Sequence, residues 1–174
     1  MLKQRRGRVY LVGFMGSGKS SVGTFLAREI GYRFIDLDQE IENTSGLPVS
    51  GIFEQHGEAE FRRLESHALR LSGAQQGVVV ATGGGTLTRR ENREFVMRTG
   101  VSVWLDAPLP VMLERCRLGA RRPLLSTPER MAALLAERIG GYRVADLRID
   151  SSEAPPDVIA RRIATQLRDA GFGT

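Results

Sequence analysis

"RVYLVGFMGSGKS", Arg8 to Ser20, is the stretch that decides the fold. An apolar run of strand length leads straight into G-x-x-x-x-G-K-S, and an amphipathic helical pattern opens at Lys19. Strand, glycine-rich loop and helix in that order let backbone N–H groups curl around anionic phosphate oxygens. Gly13, Gly16 and Gly18 remove the Cβ atoms that would block the approach, and the helix N-terminus adds partial positive charge. Lys19 supplies a mobile cation for the β- and γ-phosphates, and Ser20 a hydroxyl ligand for Mg²⁺. The stretch predicts a nucleoside-triphosphate site at the end of a first strand.

Beyond this stretch, strand-like apolar runs recur near 33–38, 78–82, 101–106 and 147–150. Helical patterns lie between them, roughly over 19–30, 38–45, 50–72, 90–99, 108–116, 128–144 and 156–170. Alternation of this kind predicts a three-layer α/β/α domain with a five-stranded parallel sheet. A chain of 174 residues holds one such domain, 1–174, and too little for two. Gly57 is expected to interrupt the helix over 50–72. The segment 117–127, arginine-rich and containing Pro123, is expected to be a mobile lid.

Several function classes are disfavoured at once. The longest apolar runs are of strand length, so no membrane span is expected. "MLKQRRGRVYLVGF" superficially resembles an export signal, but its apolar part is short and enters the glycine loop, so it reads as the first strand. Cys116 is the single cysteine, which excludes an internal disulfide and a thiolate metal cluster; with no export signal, a cytoplasmic protein is expected. The net charge is +5, with 25 lysines and arginines of which only Lys3 and Lys19 are lysine. Acids are interspersed among the arginines, which favours a solvated surface over a nucleic-acid face. No lysine is available for the Asn-Lys-x-Asp segment of a GTPase. His56 and His67 have no third ligand at metal spacing.

Three regions speak for a second, small-molecule substrate. In "VVVATGGGTL", 78 to 87, a buried strand ends in Gly83, Gly84 and Gly85, where backbone can approach a ligand that side chains would exclude. In "FIDLD", Asp36 and Asp38 have the same parity on an extended strand and are expected to point together towards the phosphate loop. One carboxylate can hold Mg²⁺ through water and the other orient or deprotonate an attacking hydroxyl, although Asp38 also suits the N-cap of the next helix. In "GEAEFRRLESHAL", Glu58, Arg62 and Glu65 form one polar stripe, which fits either a solvated salt-bridged face or an arginine fork for a carboxylate.

"GFMGSGKSSVG", "FIDLD", "IFEQHGEAEFRRLE", "ATGGGTL", "RRPLL" and "ER…Y" (Glu137, Arg138, Tyr142) stand in the order and approximate spacing of the shikimate kinases, which the chain resembles from about residue 8 to 150. The resemblance implies the nucleoside-monophosphate-kinase-like P-loop fold, with a substrate-binding helical region at about 38–72. It implies transfer of the γ-phosphoryl group of ATP to the 3-hydroxyl of shikimate, with Mg²⁺, in aromatic amino-acid biosynthesis. ATP contacts are then Gly16, Ser17, Gly18, Lys19, Ser20 and Ser21, with Arg115, Glu153 and Pro155 near the base. Ser20 and Asp36 belong to the metal shell, and Asp38 is the candidate base. Arg62 and Arg138 grip the carboxylate, Glu65 steadies Arg62 or the substrate, and Gly83, Gly84 and Gly85 line the ring between Phe53 and Phe61. Arg122, rather than the adjacent Arg121, closes over the transferring phosphate. A monomer with small-molecule partners, no nucleic acid and no membrane is expected. The alternatives are a gluconate-kinase-like P-loop enzyme and a nucleic-acid-binding P-loop ATPase. Where the family often has a proline near 140, this chain has Gly140 and Gly141, which are expected to loosen the helix end that presents Arg138.

Overall fold

The computed structural model describes residues 7–118 and 127–172. Most of the expected lid, with Arg121 and Arg122, lies outside the described residues. Five strands form one parallel sheet: β1 (Arg8–Val12), β2 (Arg33–Asp36), β3 (Val78–Ala81), β4 (Val101–Asp106) and β5 (Leu147–Asp150). Their spatial order is β2-β3-β1-β4-β5, so the strand that feeds the glycine loop is central. Val9 of β1 pairs with Val79 on one side and Val101 on the other.

β1 is apolar at every position from Val9 to Val12 because both of its faces are covered. Val9 and Leu11 pack with α1 (Lys19–Glu29) and α7 (Pro156–Asp169) through Leu26, Ile159, Ile163 and Leu167. Tyr10 and Val12 point the other way, into a cluster with Leu69, Val96, Met112, Met131 and Tyr142. These residues come from α3 (Val49–Gly73), α4 (Arg90–Thr99), α5 (Leu109–Leu118) and α6 (Pro128–Tyr142). The layers are therefore α/β/α, as the alternation predicts. Burying one such aliphatic side chain is worth about 1.5–3 kcal/mol relative to leaving it in water. A third cluster, Ile41, Ile52 and Phe61, joins α2 (Leu37–Ser45) to α3 beyond the sheet edge.

Three local outcomes matter for the site. First, β2 stops at Asp36 instead of running to residue 38. The Asp36 carboxylate accepts the Asp38 N–H at 3.1 Å and caps α2, so the cap is Asp36 and Asp38 is already helical. The strand-parity expectation for the two aspartates therefore fails. Second, α3 breaks at Gly57 (φ 78°, ψ 172°), as expected. Third, α6 runs helically through Gly140 and Gly141 to Tyr142, so the expected loosening is not seen.

Candidate active site

The glycine loop leaves β1 at Val12 and returns to helix at Lys19. Gly13, Gly16 and Gly18 all have positive φ, which other residues adopt at a cost. A Cβ on Gly13 or Gly16 would also strike the backbone carbonyls of Leu105 and Met112. The loop is thus wedged against β4 and α5. Gly18 caps α1 without a side-chain hydrogen bond, leaving the N-terminal N–H groups of the helix for an anion. Lys19 Nζ donates to the carbonyl oxygens of Gly13 and Phe14, both at 2.8 Å, and so lies across the loop.

Ser20 Oγ donates to Asp36 Oδ2 at 2.5 Å. Helix α1 and the end of β2 therefore bring a hydroxyl and a carboxylate oxygen together. Among the described residues, no three His, Cys, Asp or Glu converge as in an all-protein metal cage. One hydroxyl and one carboxylate fit Mg²⁺, which keeps several waters and takes its other oxygens from substrate phosphates.

Two cavities open at the C-terminal edge of the sheet, where ligands bind in open α/β folds. The first, of about 620 Å³, is lined by Gly16, Gly18, Lys19, Ser20, Ser21, Thr82, Arg115, Ser151 and Pro155. Arg115 donates to the Ser151 carbonyl at 2.9 Å and to that of Gly16 at 3.4 Å, and Ser151 Oγ donates to the Ser17 carbonyl at 2.8 Å. α5, the segment after β5 and the glycine loop are laced together by these bonds. Two expected nucleotide contacts stand elsewhere. Ser17 is fully buried behind the loop, and its N–H donates to Phe14 O. Glu153 turns to a neighbouring groove, with its carboxylate 3.8 Å from Arg162.

The second cavity, of about 560 Å³, is lined by Phe53, Phe61, Arg62, Glu65, the three glycines and Arg138, and meets the first at Met15, Ser20, Asp36, Asp38 and Gly84. Asp36 and Asp38 thus share the junction although they are not on one strand face. Two of the three residues of the polar stripe on α3 are withdrawn from solvent: the Arg62 side chain is 12% exposed and that of Glu65 1%. Arg62 bonds Glu65 at 2.8 Å and the exposed Glu58 at 3.2 Å. Burial pulls the Arg62 pKa down, but the two glutamates outweigh it and leave it raised. Behind them, Thr86 Oγ1 donates to Glu65 Oε1 at 2.6 Å, and Asn92 Nδ2 donates to the Thr86 carbonyl at 3.0 Å. Arg138 lies over the Phe14 ring at 5.9 Å, and burial lowers its pKa from the ordinary arginine value.

None of Gly83, Gly84 and Gly85 has positive φ, so turning the chain is not their purpose. Space is. A Cβ on Gly83 would overlap Glu65 Oε1, and one on Gly85 would come within 2.6 Å of Arg62 Cζ. On Gly84 it would make ordinary contact, 3.5 Å from Arg138 Nη1. Two of the glycines make room for the protein's own ion pair, and Gly84 alone has room to spare beside the cavity.

Sequence patterns did not single out Thr82, Thr86, Asn92 or Ser151. Each is a small polar residue buried by contacts remote in the chain, and no periodicity marks it.

The shikimate kinase family model matches residues 15–168. The shikimate kinase of Geobacter sulfurreducens is 46% identical over 164 residues, covering 92% of this chain and 91% of that one. That of Gloeobacter violaceus is 47% identical over 86% of each. Among solved structures, the shikimate kinase of Acinetobacter baumannii in complex with shikimate superposes with a TM-score of 0.90 at 36% identity, over 95% of this chain and 94% of that chain. A gluconokinase from Sinorhizobium meliloti, at 20% identity and a TM-score of 0.54, shares the fold alone. Glycine loop, paired cavities and a match across nearly the whole length agree: this chain belongs to the shikimate kinase family.

Proposed function

We propose that the protein transfers the γ-phosphoryl group of ATP to the 3-hydroxyl of shikimate, giving shikimate 3-phosphate and ADP. The observation that carries this is the pair of cavities meeting at Asp36, Asp38 and Gly84, one walled by the glycine loop and the other by two half-buried arginines. ATP takes the first cavity, with its phosphates on the loop and its base near Arg115 and Pro155. Shikimate takes the second, with its carboxylate on Arg62 and Arg138 and its ring over Gly84. A carboxylate held by charged hydrogen bonds gains about 1.5–3 kcal/mol from each, which fixes the opposite, hydroxylated edge at the junction.

Asp38 stands at that junction and takes the proton of the attacking hydroxyl. Lys19 then moves from the loop carbonyls to the β- and γ-phosphates. Ser20 and Asp36 would hold Mg²⁺, whose charge would offset that of the phosphate oxygens. Arg122 supplies a further positive charge to the transferring group. Each of α3, α4 and α7 carries an exposed arginine paired with an acid of its own helix, as in Arg63–Glu60, Arg90–Glu94 and Arg161–Asp157, which favours a solvated surface over a nucleic-acid partner. No helix among the described residues is long and apolar enough to cross a membrane. We place the protein in the cytoplasm as a monomer.

A coupled ADP-release assay with Mg·ATP and shikimate, gluconate, quinate or no acceptor tests the assignment. Turnover is expected with shikimate alone. Turnover with gluconate or quinate in its place would overturn the substrate, and acceptor-independent hydrolysis would overturn the kinase. In the same assay Arg122→Ala should lose about 10³-fold in kcat.

A further inference from the structure

The Tyr142 hydroxyl donates to the carbonyl oxygen of Gly84, a residue 58 positions away in the chain. The side chain is buried, with its ring 6.1 Å from that of Trp104, so packing holds the ring and this bond holds the oxygen. Arg138, one helical turn earlier on α6, lies beside the same oxygen. The hydroxyl therefore stands between one arginine of the acceptor cavity and the backbone of its floor. α6 comes this close because residue 141 is glycine. A Cβ there would sit 2.7 Å from the Leu87 carbonyl, in the short 3-10 turn that follows the floor.

In a planar trans peptide the N–H points opposite to the C=O. Fixing the Gly84 carbonyl on Tyr142 thus turns the Gly85 N–H to the other side of the same peptide. Neither the Gly84 nor the Gly85 N–H has an acceptor among the described residues, and both residues line the cavity.

We propose that Tyr142 is a positioning residue for the acceptor: through Gly84 it sets the peptide that meets shikimate, and through its oxygen it steadies Arg138. This rests on the acceptor site proposed above. Tyr142 lines neither cavity, and its contribution is to the geometry of residues that do.

The test is Tyr142→Phe, which removes one oxygen and keeps the ring. KM for shikimate is expected to rise about tenfold, the size of one lost hydrogen bond, with KM for ATP and kcat close to those of the unaltered protein. A KM for shikimate within about twofold of the unaltered protein's, with or without a lower Tm, would overturn the positioning role and leave the activity standing. No turnover of shikimate by the unaltered protein would overturn both. Should the variant not fold, the chain's three tyrosines permit a second measurement on the unaltered sequence labelled with 3-fluorotyrosine. Added shikimate should shift the Tyr142 fluorine resonance and leave that of Tyr10 in place, with Tyr10→Phe and Tyr32→Phe making the assignment. A Tyr142 resonance that shikimate does not move would sink the proposal.

Discussion

Gly83, Gly84 and Gly85 have three different neighbours, and substitution should separate them. Gly84→Ala meets no clash within the protein, so its Tm should stay close to that of the unaltered protein while KM for shikimate rises and KM for ATP does not. Gly85→Ala displaces the Arg62 guanidinium, so KM for shikimate should rise further and Tm should fall. Equal effects of the two on shikimate kinetics and on Tm would contradict the division between pocket floor and ion-pair clearance. Glu65 makes a complementary case. Its carboxylate is bonded by Arg62 and Thr86 in a dry site. Glu65→Ala removes one half of a largely buried pair and should cost about 3 kcal/mol in urea unfolding. A loss no larger than that of an exposed pair such as Arg63–Glu60 would mean that water reaches Arg62 freely.

At the scale of an element, α3 is two helical pieces hinged at Gly57. Its φ of 78° with ψ of 172° is a combination essentially restricted to glycine, and nothing crowds the position. Gly57→Ala should therefore act through backbone strain alone, costing about 1–3 kcal/mol in chemical denaturation. The second piece carries Glu58, Arg62 and Glu65, so KM for shikimate should rise with the loss of stability. Lost stability with unchanged KM would show that the second piece keeps its place without the hinge. α6 shows the opposite use of glycine. Gly140 has open space around it, whereas Gly141 is pressed against the Leu87 carbonyl inside a regular helix. Of the two glycines that the sequence marks as a weak helix end, Gly141 is where that helix docks on the 3-10 turn after Gly83, Gly84 and Gly85.

At the scale of the whole molecule, the sheet buries two tyrosines on the same face, Tyr10 and Tyr142. Burial raises both phenols above their ordinary value of 10.0. The folded state then holds two protons that the unfolded chain releases as pH passes 10, so stability is intact below pH 10 and falls as pH rises further. Thermal unfolding followed from pH 9 to pH 11 should show that decline, and Tyr142→Phe should make it shallower. A Tm that does not change across this range would mean that both phenols reach water. The two cavities depend on the same architecture. Central β1 carries the glycine loop, β3 delivers the three glycines beside it, and β2 ends in Asp36 at the junction of the two cavities.

Features that repeat at short range were legible in the chain itself. Continuous apolarity marked the buried strands, because parallel strands covered on both faces need it. The fixed spacing of Gly13 to Ser20 marked the phosphate loop, because a backbone anion nest is made by consecutive residues. Gly57 marked the break in α3. Other features depend on partners far apart in sequence. Arg62 and Glu65 form a nearly dry pair instead of a solvated stripe because Thr86, itself held by Asn92, closes on Glu65. Asp36 caps α2, and both aspartates reach the junction although they do not share a strand face. Ser17 is turned inward and Glu153 outward by neighbours that no spacing encodes. Tyr142 meets Gly84 only because α6 packs beside the end of β3. Local periodicity reflects which face of an element is apolar, whereas burial of a polar group depends on which other element closes over it.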